Sequence, residues 1–373
     1  MSGIYFHIPF CRQRCTYCDF HFSTRFDNYR EALIVALNRE IELRKNEIQG
    51  TFSTIYFGGG TPSLLTEKEL NTIFNSLFQH YSFEENPEIT FEANPEDLSE
   101  GNLKLWKSLG INRLSIGVQS FRANDLEWMN RGHRANEAAE GVKRAQAIGF
   151  ENISIDLIYG LPNLSIDNWK QHLEEVFSWD VPHLSAYCLT VEKRTALNYQ
   201  VNKKRLLLPD ENAQSEQFKI LIESAEERGL EQYEISNFSK TDWHSRHNSS
   251  YWKGAPYLGF GPSAHSFSGE ERRWNHANNT VYYKNVGKNE TWFDSEKLTQ
   301  NERWNELFLL GLRTKWGIQL EVIQQFGGLT PNEQQLLHQF INEGKMIQKD
   351  EQIVLSKAAR FLADGIAAEF FRV

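Results

Sequence analysis

Strand–helix alternation is the sequence feature that most constrains the fold of this chain. Short segments rich in apolar and β-branched residues recur along its first half, separated by longer amphipathic segments. These strand candidates are IYFHI (4–8), TIYFG (54–58), EITFEA (88–93), RLSIGVQ (113–119), ISIDLI (153–158) and HLSAYCL (183–189). The alternation predicts a parallel sheet with right-handed crossovers, either an open doubly wound layer or a partial barrel. In both arrangements ligands bind at the carboxyl ends of the strands.

The segments between the strands carry helix signals. In residues 66–81 apolar side chains recur at i, i+3 and i+4 spacing, and Thr66 with Glu69 forms a capping box, so a helix is predicted there. Later helical patterns end at a glycine that a strand soon follows, which is typical of a left-handed C-cap. These glycines are Gly110, Gly149 and Gly229.

The residue composition changes after about residue 232, and the strand–helix pattern ends there. The next stretch, through residue 297, is rich in Gly, Ser, Asn and aromatic residues, and predicts a loop-rich extension. Residues 298–373 are again helical in pattern and predict a small, mainly helical domain. Residues 1–232 therefore form the predicted α/β core.

Composition and charge exclude several classes of protein. The chain has 373 residues, more than a usual single domain, with 40% hydrophobic and 24% charged residues, as in soluble globular proteins. Its net charge of -9 argues against a nucleic-acid binder. The N-terminus lacks a signal-peptide pattern, and no apolar stretch approaches the roughly 20 residues of a membrane span. A cytoplasmic location is expected, with at most peripheral membrane contact.

Three of the four cysteines fall within residues 11–18, at the spacing C-x3-C-x2-C. Such clustering argues against a disulfide framework and indicates a metal or redox role in a reducing compartment. Three thiolates could hold an iron–sulfur cubane whose fourth iron is open to another ligand. Structural zinc would need a fourth ligand such as His7 or His21, and chance clustering of reduced cysteines is the remaining alternative. The fourth cysteine, Cys188, lies in an apolar strand and is predicted to be a buried, inert thiol.

The unusual residues follow the predicted strands, where a ligand site is expected. The cysteine loop follows the first strand, and the motifs after the next four strands are GGGTPS (58–63), EANPE (92–96), GVQS (117–120) and DLIYGLP (156–162).

Taken in this order, YFHIPFCRQRCTYCDF, YFGGGTPSLL, FEANPE, RLSIGVQSF, RGH and DLIYGLP resemble the radical S-adenosylmethionine (SAM) superfamily. More narrowly, they are similar to the branch of oxygen-independent coproporphyrinogen III oxidases and HemW-type haem chaperones. The resemblance covers residues 1–240 closely and implies a partial (β/α)6 barrel of the TIM type. It further implies a [4Fe–4S] cluster on Cys11, Cys15 and Cys18. SAM would chelate the fourth iron.

The resemblance also implies the residues that hold SAM. They are Tyr5, Tyr17, Gly59, Gly60, Thr61, Glu92, Gln119, Arg131 and Asp156. The glycines, together with Gly58, would let the backbone approach the methionine moiety, and Arg131 suits a carboxylate partner. Taken singly, each of these residues is equally well explained as an ordinary turn, core or surface residue.

A second motif lies in the extension. HNSSYW (247–252) resembles the H-N-x-x-Y-W element of HemW-type haem chaperones, which implies haem binding by His247, Asn248, Tyr251 and Trp252. The imidazole would ligate iron, Asn248 would orient it, and the two aromatic rings would pack on the porphyrin. The alternative is a surface loop with a solvated histidine and two packing aromatics. Candidates for a second axial ligand are His244, His265 and His276.

Two departures from the oxidase pattern favour the chaperone. The oxidase motif continues to a further cysteine, where this chain has Phe20, and the long arm that precedes the oxidase motif is not expected here because the motif tyrosine is residue 5. The resemblance then implies a haem-accepting protein as partner, for example a membrane-bound oxidase, and an electron donor such as a flavodoxin or ferredoxin. The rival interpretations are coproporphyrinogen III dehydrogenase, by radical oxidative decarboxylation, and a zinc-stabilised binding module.

Overall fold

The computed structural model describes residues 2–373. Its strands are β1 (Ser2–Ile8), β2 (Thr51–Gly59), β3 (Ser82–Ala93), β4 (Arg113–Gln119), β5 (Asn152–Tyr159), β6 (His183–Cys188), β7 (Glu231–Glu234), β8 (Asn237–Ser239), β9 (Tyr257–Phe260), β10 (His265–Phe267), β11 (Glu271–Asn275), β12 (Phe293–Lys297), β13 (Ile318–Gln319), β14 (Met346–Lys349) and β15 (Gln352–Leu355).

The α-helices alternate with the early strands and then dominate the C-terminal part. They are α1 (Arg30–Leu43), α2 (Glu67–His80), α3 (Glu100–Ser108), α4 (Ala123–Trp128), α5 (Ala135–Ala147), α6 (Ile166–Ser178), α7 (Ala196–Asn202), α8 (Glu211–Glu227), α9 (Arg246–Trp252), α10 (Asn279–Lys288), α11 (Gln300–Gly311), α12 (Leu320–Gln325), α13 (Pro331–Asn342) and α14 (Ala363–Ala368).

The central sheet confirms the predicted fold class. Its order is β12-β11-β10-β9-β1-β2-β3-β4-β5-β6-β8-β7, and β1 to β6 are parallel and adjacent in chain order. Chain order without a reversal is the topology of a β/α barrel and not of a doubly wound sheet. The sheet does not close, because β9 pairs with the free edge of β1 and β8 pairs with β6. The chain therefore has a partial (β/α)6 barrel at its centre.

Local sequence signals explain the elements of this core. All six predicted strands are present, and α2 begins at the predicted capping box of Thr66 and Glu69. The predicted apolar face of α2 is buried except for Phe78, which is 49% exposed and packs on Phe74 and Phe83 at its edge. The predicted C-cap glycines have positive φ of 86°, 97° and 74° at Gly110, Gly149 and Gly229.

The extension that the sequence predicts as loop-rich is more regular than expected. It contains α9, α10 and the strands β8 to β12. These strands are short, so the local sequence does not predict them. They form because the edge of β1 offers unpaired backbone groups to β9, and β10 to β12 then pair in turn beyond β9.

A second apolar core lies in the C-terminal part of the chain. It is built around Trp304, Phe308, Phe340 and Phe370 and includes residues of the small antiparallel sheet β13-β15-β14. The main core runs from Ile4 to Trp292.

None of the helices in residues 2–373 has both the length and the apolar character needed to cross a bilayer.

Candidate cofactor pocket

One pocket of about 400 Å³ opens at the carboxyl ends of the parallel strands. Among the residues that line it are Cys11, Cys15, Tyr17, Cys18, Gly59, Gly60, Thr61, Glu92, Gln119, Arg131 and Asp156. The fold therefore brings together the three clustered cysteines and all but one of the residues that the sequence predicts for SAM. The exception is Tyr5, which does not line the pocket and has its hydroxyl 3.2 Å from Nδ1 of His7.

The cysteine loop is held over the strand ends by backbone hydrogen bonds. The Cys11 N–H donates to the Ser23 carbonyl at 3.1 Å, and the Thr16 N–H donates to the Met129 carbonyl at 3.1 Å. A further N–H, from Leu197, donates to the Thr16 carbonyl at 2.9 Å. The loop is thus held to both the α4–α5 connection and the first turn of α7, which keeps its thiols on one wall of the pocket.

All three clustered thiols are free and partly buried. Burial raises the pKa of Cys11 to about 11 and that of Cys18 to about 12. The Thr61 hydroxyl donates to the Cys11 sulfur at 3.5 Å. Within residues 2–373 no group of His, Cys, Asp or Glu side chains is arranged around a single-ion site.

Arg131 places a cation against the cysteine wall. One Nη lies 3.8 Å from the Cys15 sulfur, and the other donates to Asn94 Oδ1 at 2.7 Å and to the Gly117 carbonyl at 2.5 Å. Its Nε is buried and has no hydrogen-bond partner in the described chain. A buried guanidinium with a donor still free is suited to an anionic group in the pocket, such as a carboxylate.

Two partly buried carboxyl groups also line the pocket. Burial raises the pKa of Glu92 to about 7, an effect that the neighbouring Asp156 adds to, and burial raises the pKa of Asp156 to about 6. Glu92 accepts a hydrogen bond from the Tyr56 hydroxyl at 2.8 Å, and Asp156 accepts one from Ser115 at 3.0 Å. Both groups retain acceptor capacity for hydroxyl or amine donors of a ligand.

The glycine motif is required by the protein's own packing. Gly59 has a φ of 105°, which L side chains rarely adopt, and a Cβ at Gly60 would lie 2.7 Å from the Phe10 carbonyl oxygen. The structure thus explains these glycines as parts of a tight turn that has no room for a side chain. Since Gly59 and Gly60 also line the pocket, any side chain there would narrow it as well.

The two histidines that a zinc site would recruit are already engaged. His7 shares hydrogen bonds with the Tyr5 hydroxyl at 3.2 Å and the His21 carbonyl at 2.7 Å. His21 Nε2 lies 2.6 Å from Asn279 Oδ1. Burial lowers the pKa of His7 to about 4. In this conformation neither imidazole turns toward the cysteines.

The HNSSYW segment forms α9 and lies apart from the pocket. His247 is 1% exposed, so the surface-loop interpretation with a solvated histidine is wrong for this residue. Its Nδ1 lies 2.7 Å from Thr54 Oγ1, and its Nε2 lies 2.6 Å from the Tyr251 hydroxyl. Burial lowers the pKa of His247 to about 3. Both ring nitrogens are occupied, so iron ligation through Nε2 requires Tyr251 to move.

The other named residues of the motif do not line the pocket either, and among them Tyr251 contacts the imidazole. The Asn248 backbone N–H donates to Ser245 Oγ at 3.2 Å, which caps α9. The Trp252 ring lies 5.1 Å from the Arg313 guanidinium, and its buried indole N–H has no partner in the described chain. The ring neighbours of His247 are Tyr5, Tyr56 and Tyr251. The predicted second ligands therefore stand elsewhere: His244 packs on Tyr233, His265 on Trp274, and His276 lies 3.3 Å from Asp294.

Sequence reasoning missed several residues of the site. Tyr56 contacts Glu92, Asn94 contacts Arg131, and Tyr187 lines the pocket. Cys188 also lines the pocket, although the sequence predicts a buried, inert thiol. Alternation along the strands carries a usable signal for Tyr56, because it lies two residues before Gly58 and therefore on the same face of β2.

Comparison with known proteins agrees with this architecture. Residues 5–176 match the Radical SAM superfamily, and residues 298–362 match the HemN C-terminal domain. The solved structure of coproporphyrinogen III oxidase (HemN) from Escherichia coli superposes with a TM-score of 0.85 at 22% identity, covering 99% of this chain and 90% of that chain. An open parallel barrel with a three-cysteine loop at its carboxyl edge thus defines a radical SAM protein.

Similarity to curated proteins narrows the class. Heme chaperone HemW of Bacillus subtilis is 33% identical over 381 residues, which cover 99% of each chain. Heme chaperone HemW of Lactococcus lactis is 33% identical, covering 86% of this chain and 83% of that protein. The Mycobacterium tuberculosis HemW is 31% identical, covering 98% and 93%. The chain belongs to the HemW haem chaperone family.

Proposed function

We propose that this protein binds a [4Fe–4S] cluster through Cys11, Cys15 and Cys18, binds SAM beside it, and carries haem to an acceptor protein. The observation that carries the proposal is the pocket that joins the three thiols to Glu92 and Arg131. Similarity to HemW proteins over the full chain supports haem as the cargo.

The residues present fit the cofactor pair. Three thiols on one wall leave a cubane one protein ligand short, which suits a small chelating ligand. The free Nε of Arg131 suits the carboxylate of SAM, and Glu92 and Asp156 suit its amine or ribose hydroxyls. The cluster and SAM, when bound, supply one-electron chemistry at the sulfonium. Tyr17, Thr61 and Gln119 line the same pocket.

Haem would be ligated at the HNSSYW segment by His247. The imidazole is neutral because burial depresses its pKa, and a neutral imidazole is the form that binds iron. Binding needs the Tyr251 hydroxyl to leave Nε2, and Asn248 and Trp252 belong to the same short helix α9. Haem held by one exchangeable protein ligand is suited to transfer, so the partners of the protein are a haem-accepting protein and an electron donor for the cluster.

Metal analysis of anaerobically reconstituted protein tests the cofactor proposal. Cys11→Ala, Cys15→Ala and Cys18→Ala should each reduce iron and sulfide content to background, because two thiolates do not hold a cubane. Cys188→Ala is the matched control and should retain both elements, since its thiol lies at the pocket edge and is hydrogen-bonded to the Tyr159 hydroxyl. Zinc without sulfide in the parent protein would overturn the proposal in favour of a zinc module.

A haem titration and an activity assay together test the haem proposal. Haem should give a Soret band that His247→Ala weakens at least about 10-fold in affinity, because a buried iron ligand is lost. With SAM and a reductant, coproporphyrinogen III should remain unchanged; its conversion to protoporphyrinogen would identify the protein as the dehydrogenase instead.

A further inference from the structure

The interior of the partial barrel contains a direct physical connection between the HNSSYW segment and the SAM pocket. The His247 imidazole is stacked on the Tyr56 ring, with ring centroids 5.0 Å apart and planes inclined by 28°. The hydroxyl of the same Tyr56 donates to Glu92 Oε1 at 2.8 Å. Glu92 lines the pocket and also receives the Gly59 backbone N–H. One side chain therefore touches both the imidazole and the pocket carboxylate.

This connection is held tightly on all sides. Tyr56 is 9% exposed and His247 is 1% exposed, and the second neighbouring ring, Tyr5, packs 6.0 Å from Tyr56 and 6.4 Å from His247. The imidazole is fixed further through Thr54 at Nδ1. Close-packed interiors respond to a displacement by moving the neighbouring group, so the imidazole cannot turn without the Tyr56 ring adjusting.

The pocket end of the connection is where a ligand would act. A donor group of a bound ligand that recruits Glu92 Oε1 competes with the Tyr56 hydroxyl for that oxygen. Loss of this hydrogen bond frees the Tyr56 ring to tilt away from the imidazole. The hydrogen bond between His247 Nε2 and the Tyr251 hydroxyl can then break, which leaves Nε2 free to bind iron.

We propose that Tyr56 is a positioning residue that couples the two sites, so that SAM in the pocket raises the affinity of the HNSSYW segment for haem. This inference rests on the proposed binding of SAM and haem. Because coupling between two binding sites is reciprocal, haem raises the affinity for SAM by the same factor, and couplings of this kind amount to about 5- to 150-fold.

Haem titrations of full-length, cluster-loaded protein with and without saturating SAM test the coupling. In the parent protein SAM should tighten haem binding at least about 5-fold. Tyr56→Phe keeps the ring and removes the hydroxyl, so it should bind haem without SAM about as tightly as the parent does with SAM. Added SAM should change its haem affinity by less than about 2-fold, within the scatter expected for an absent coupling.

Tyr81→Phe is the matched control, because Tyr81 is also buried but donates to the Ile41 carbonyl, away from the pocket. It should keep the full effect of SAM. Equilibrium dialysis of SAM with and without haem supplies the reciprocal factor, which a merely structural role of Tyr56 would not alter. Thermal unfolding verifies that both variants are folded.

The outcomes separate the two proposals. Haem binding that SAM leaves unchanged in the parent, or a Tyr56→Phe variant that retains the parent's coupling, overturns the inference and leaves the proposed function standing. A folded parent protein that binds no haem overturns the proposed function and the inference with it.

Discussion

At the scale of single residues, burial sets the chemistry of the pocket. The Glu92 and Asp156 carboxyls lie inside the barrel, where the loss of hydration disfavours their charged forms. His247 shows the same effect with the opposite sign, because burial disfavours the imidazolium. The two carboxyl groups therefore have pKa values close to neutral pH, and the imidazole of His247 is unprotonated.

The raised pKa of Glu92 predicts a stability that depends on pH. Its pKa is about 7 in the folded chain against 4.5 for an ordinary glutamate, so between these values the folded state binds more protons. Stability therefore falls as the pH rises from about 4.5 to about 7. Glu92→Gln removes this contribution while keeping an acceptor for Tyr56. The variant should melt at a higher temperature than the parent at pH 8, with the difference vanishing below about pH 4.5.

Thermal unfolding of cluster-free protein across this pH range measures the effect. The exposed Glu127→Gln is the control and should follow the parent at every pH. A Glu92→Gln variant whose melting temperature differs from that of the parent by a constant amount would contradict the assignment, and Asp156, which lies nearby with a pKa of about 6, would then account for the pH dependence.

The Tyr251–His247 hydrogen bond predicts how haem affinity responds to a small change. The Tyr251 hydroxyl occupies the nitrogen that would bind iron. Tyr251→Phe removes this competitor, so haem should bind about 2- to 10-fold more tightly, the range that corresponds to a net hydrogen bond of about 0.5–1.5 kcal/mol. Haem titration by absorbance measures the change.

Tyr257→Phe is the control for this experiment. Its ring packs 4.4 Å from that of Tyr251 without touching the imidazole, so haem affinity should stay at the parent's value. Weaker haem binding by Tyr251→Phe would show that the phenol itself supports haem.

At the scale of elements, α1 holds the extension onto the barrel through one buried carboxylate. Glu40 is fully buried and accepts hydrogen bonds from several elements. Its donors are Arg44 at 3.1 Å, the Gly261 backbone at 2.9 Å, Asn275 at 2.7 Å, Tyr282 at 2.6 Å and Trp292 at 3.1 Å. The sequence spacing of Glu40 and Arg44 is that of an ordinary surface pair on a helix. Only the tertiary structure shows that this pair is buried.

Removal of this carboxylate should loosen the extension. Glu40→Ala removes the fully buried one of the two carboxylates that pair with Arg44, leaving only the half-exposed Glu47, and losses of a buried charge partner cost about 3–5 kcal/mol. Urea unfolding followed by tryptophan fluorescence should therefore shift to lower denaturant. Glu42→Ala on the exposed side of the same helix should change the stability by no more than about 0.5 kcal/mol. Equal shifts for the two variants would show that the network contributes no more than a surface ion pair.

Elements with strong local signals were predictable. The capping box at Thr66 and the glycines that end α3 and α5 satisfy backbone groups within a few residues. Their structural role can therefore be predicted from the neighbouring residues alone. Strand β9 gains its hydrogen bonds from β1, which is far away in the sequence, and β10 to β12 form only by building on β9. For that reason their sequence resembles that of loops.

At the scale of the whole molecule, two apolar cores divide the chain. The second core is centred on Trp304, whose indole N–H donates to the Phe370 carbonyl at 2.8 Å. The two parts touch where the Lys315 N–H donates to the Tyr233 carbonyl at 3.0 Å and Arg313 covers Trp252 at 5.1 Å. The thiols of the cofactor pocket all belong to the part with the main core.

Separate cores predict separate unfolding. Trp304→Ala removes the largest side chain of the second core, a change that costs about 3–5 kcal/mol. Calorimetry should then show an early transition of the C-terminal part, while iron and sulfide content after reconstitution stay at the parent's level. Trp106→Ala, in the main core, is the counterpart and should lower the main transition. A single transition that shifts as one unit in both variants would contradict the division.

The sequence by itself determined the parallel α/β class, the three-cysteine loop and the order of the strand-end motifs, because these depend on spacing and on side-chain type along a contiguous chain. Tertiary structure alone decided that Tyr56 bridges His247 and Glu92, that His7 is engaged by the His21 carbonyl, and that Cys188 reaches the pocket edge. These contacts join residues that lie on different segments of the chain. Their existence follows from strand register and from which groups lose contact with water when the barrel packs, and no local pattern encodes either.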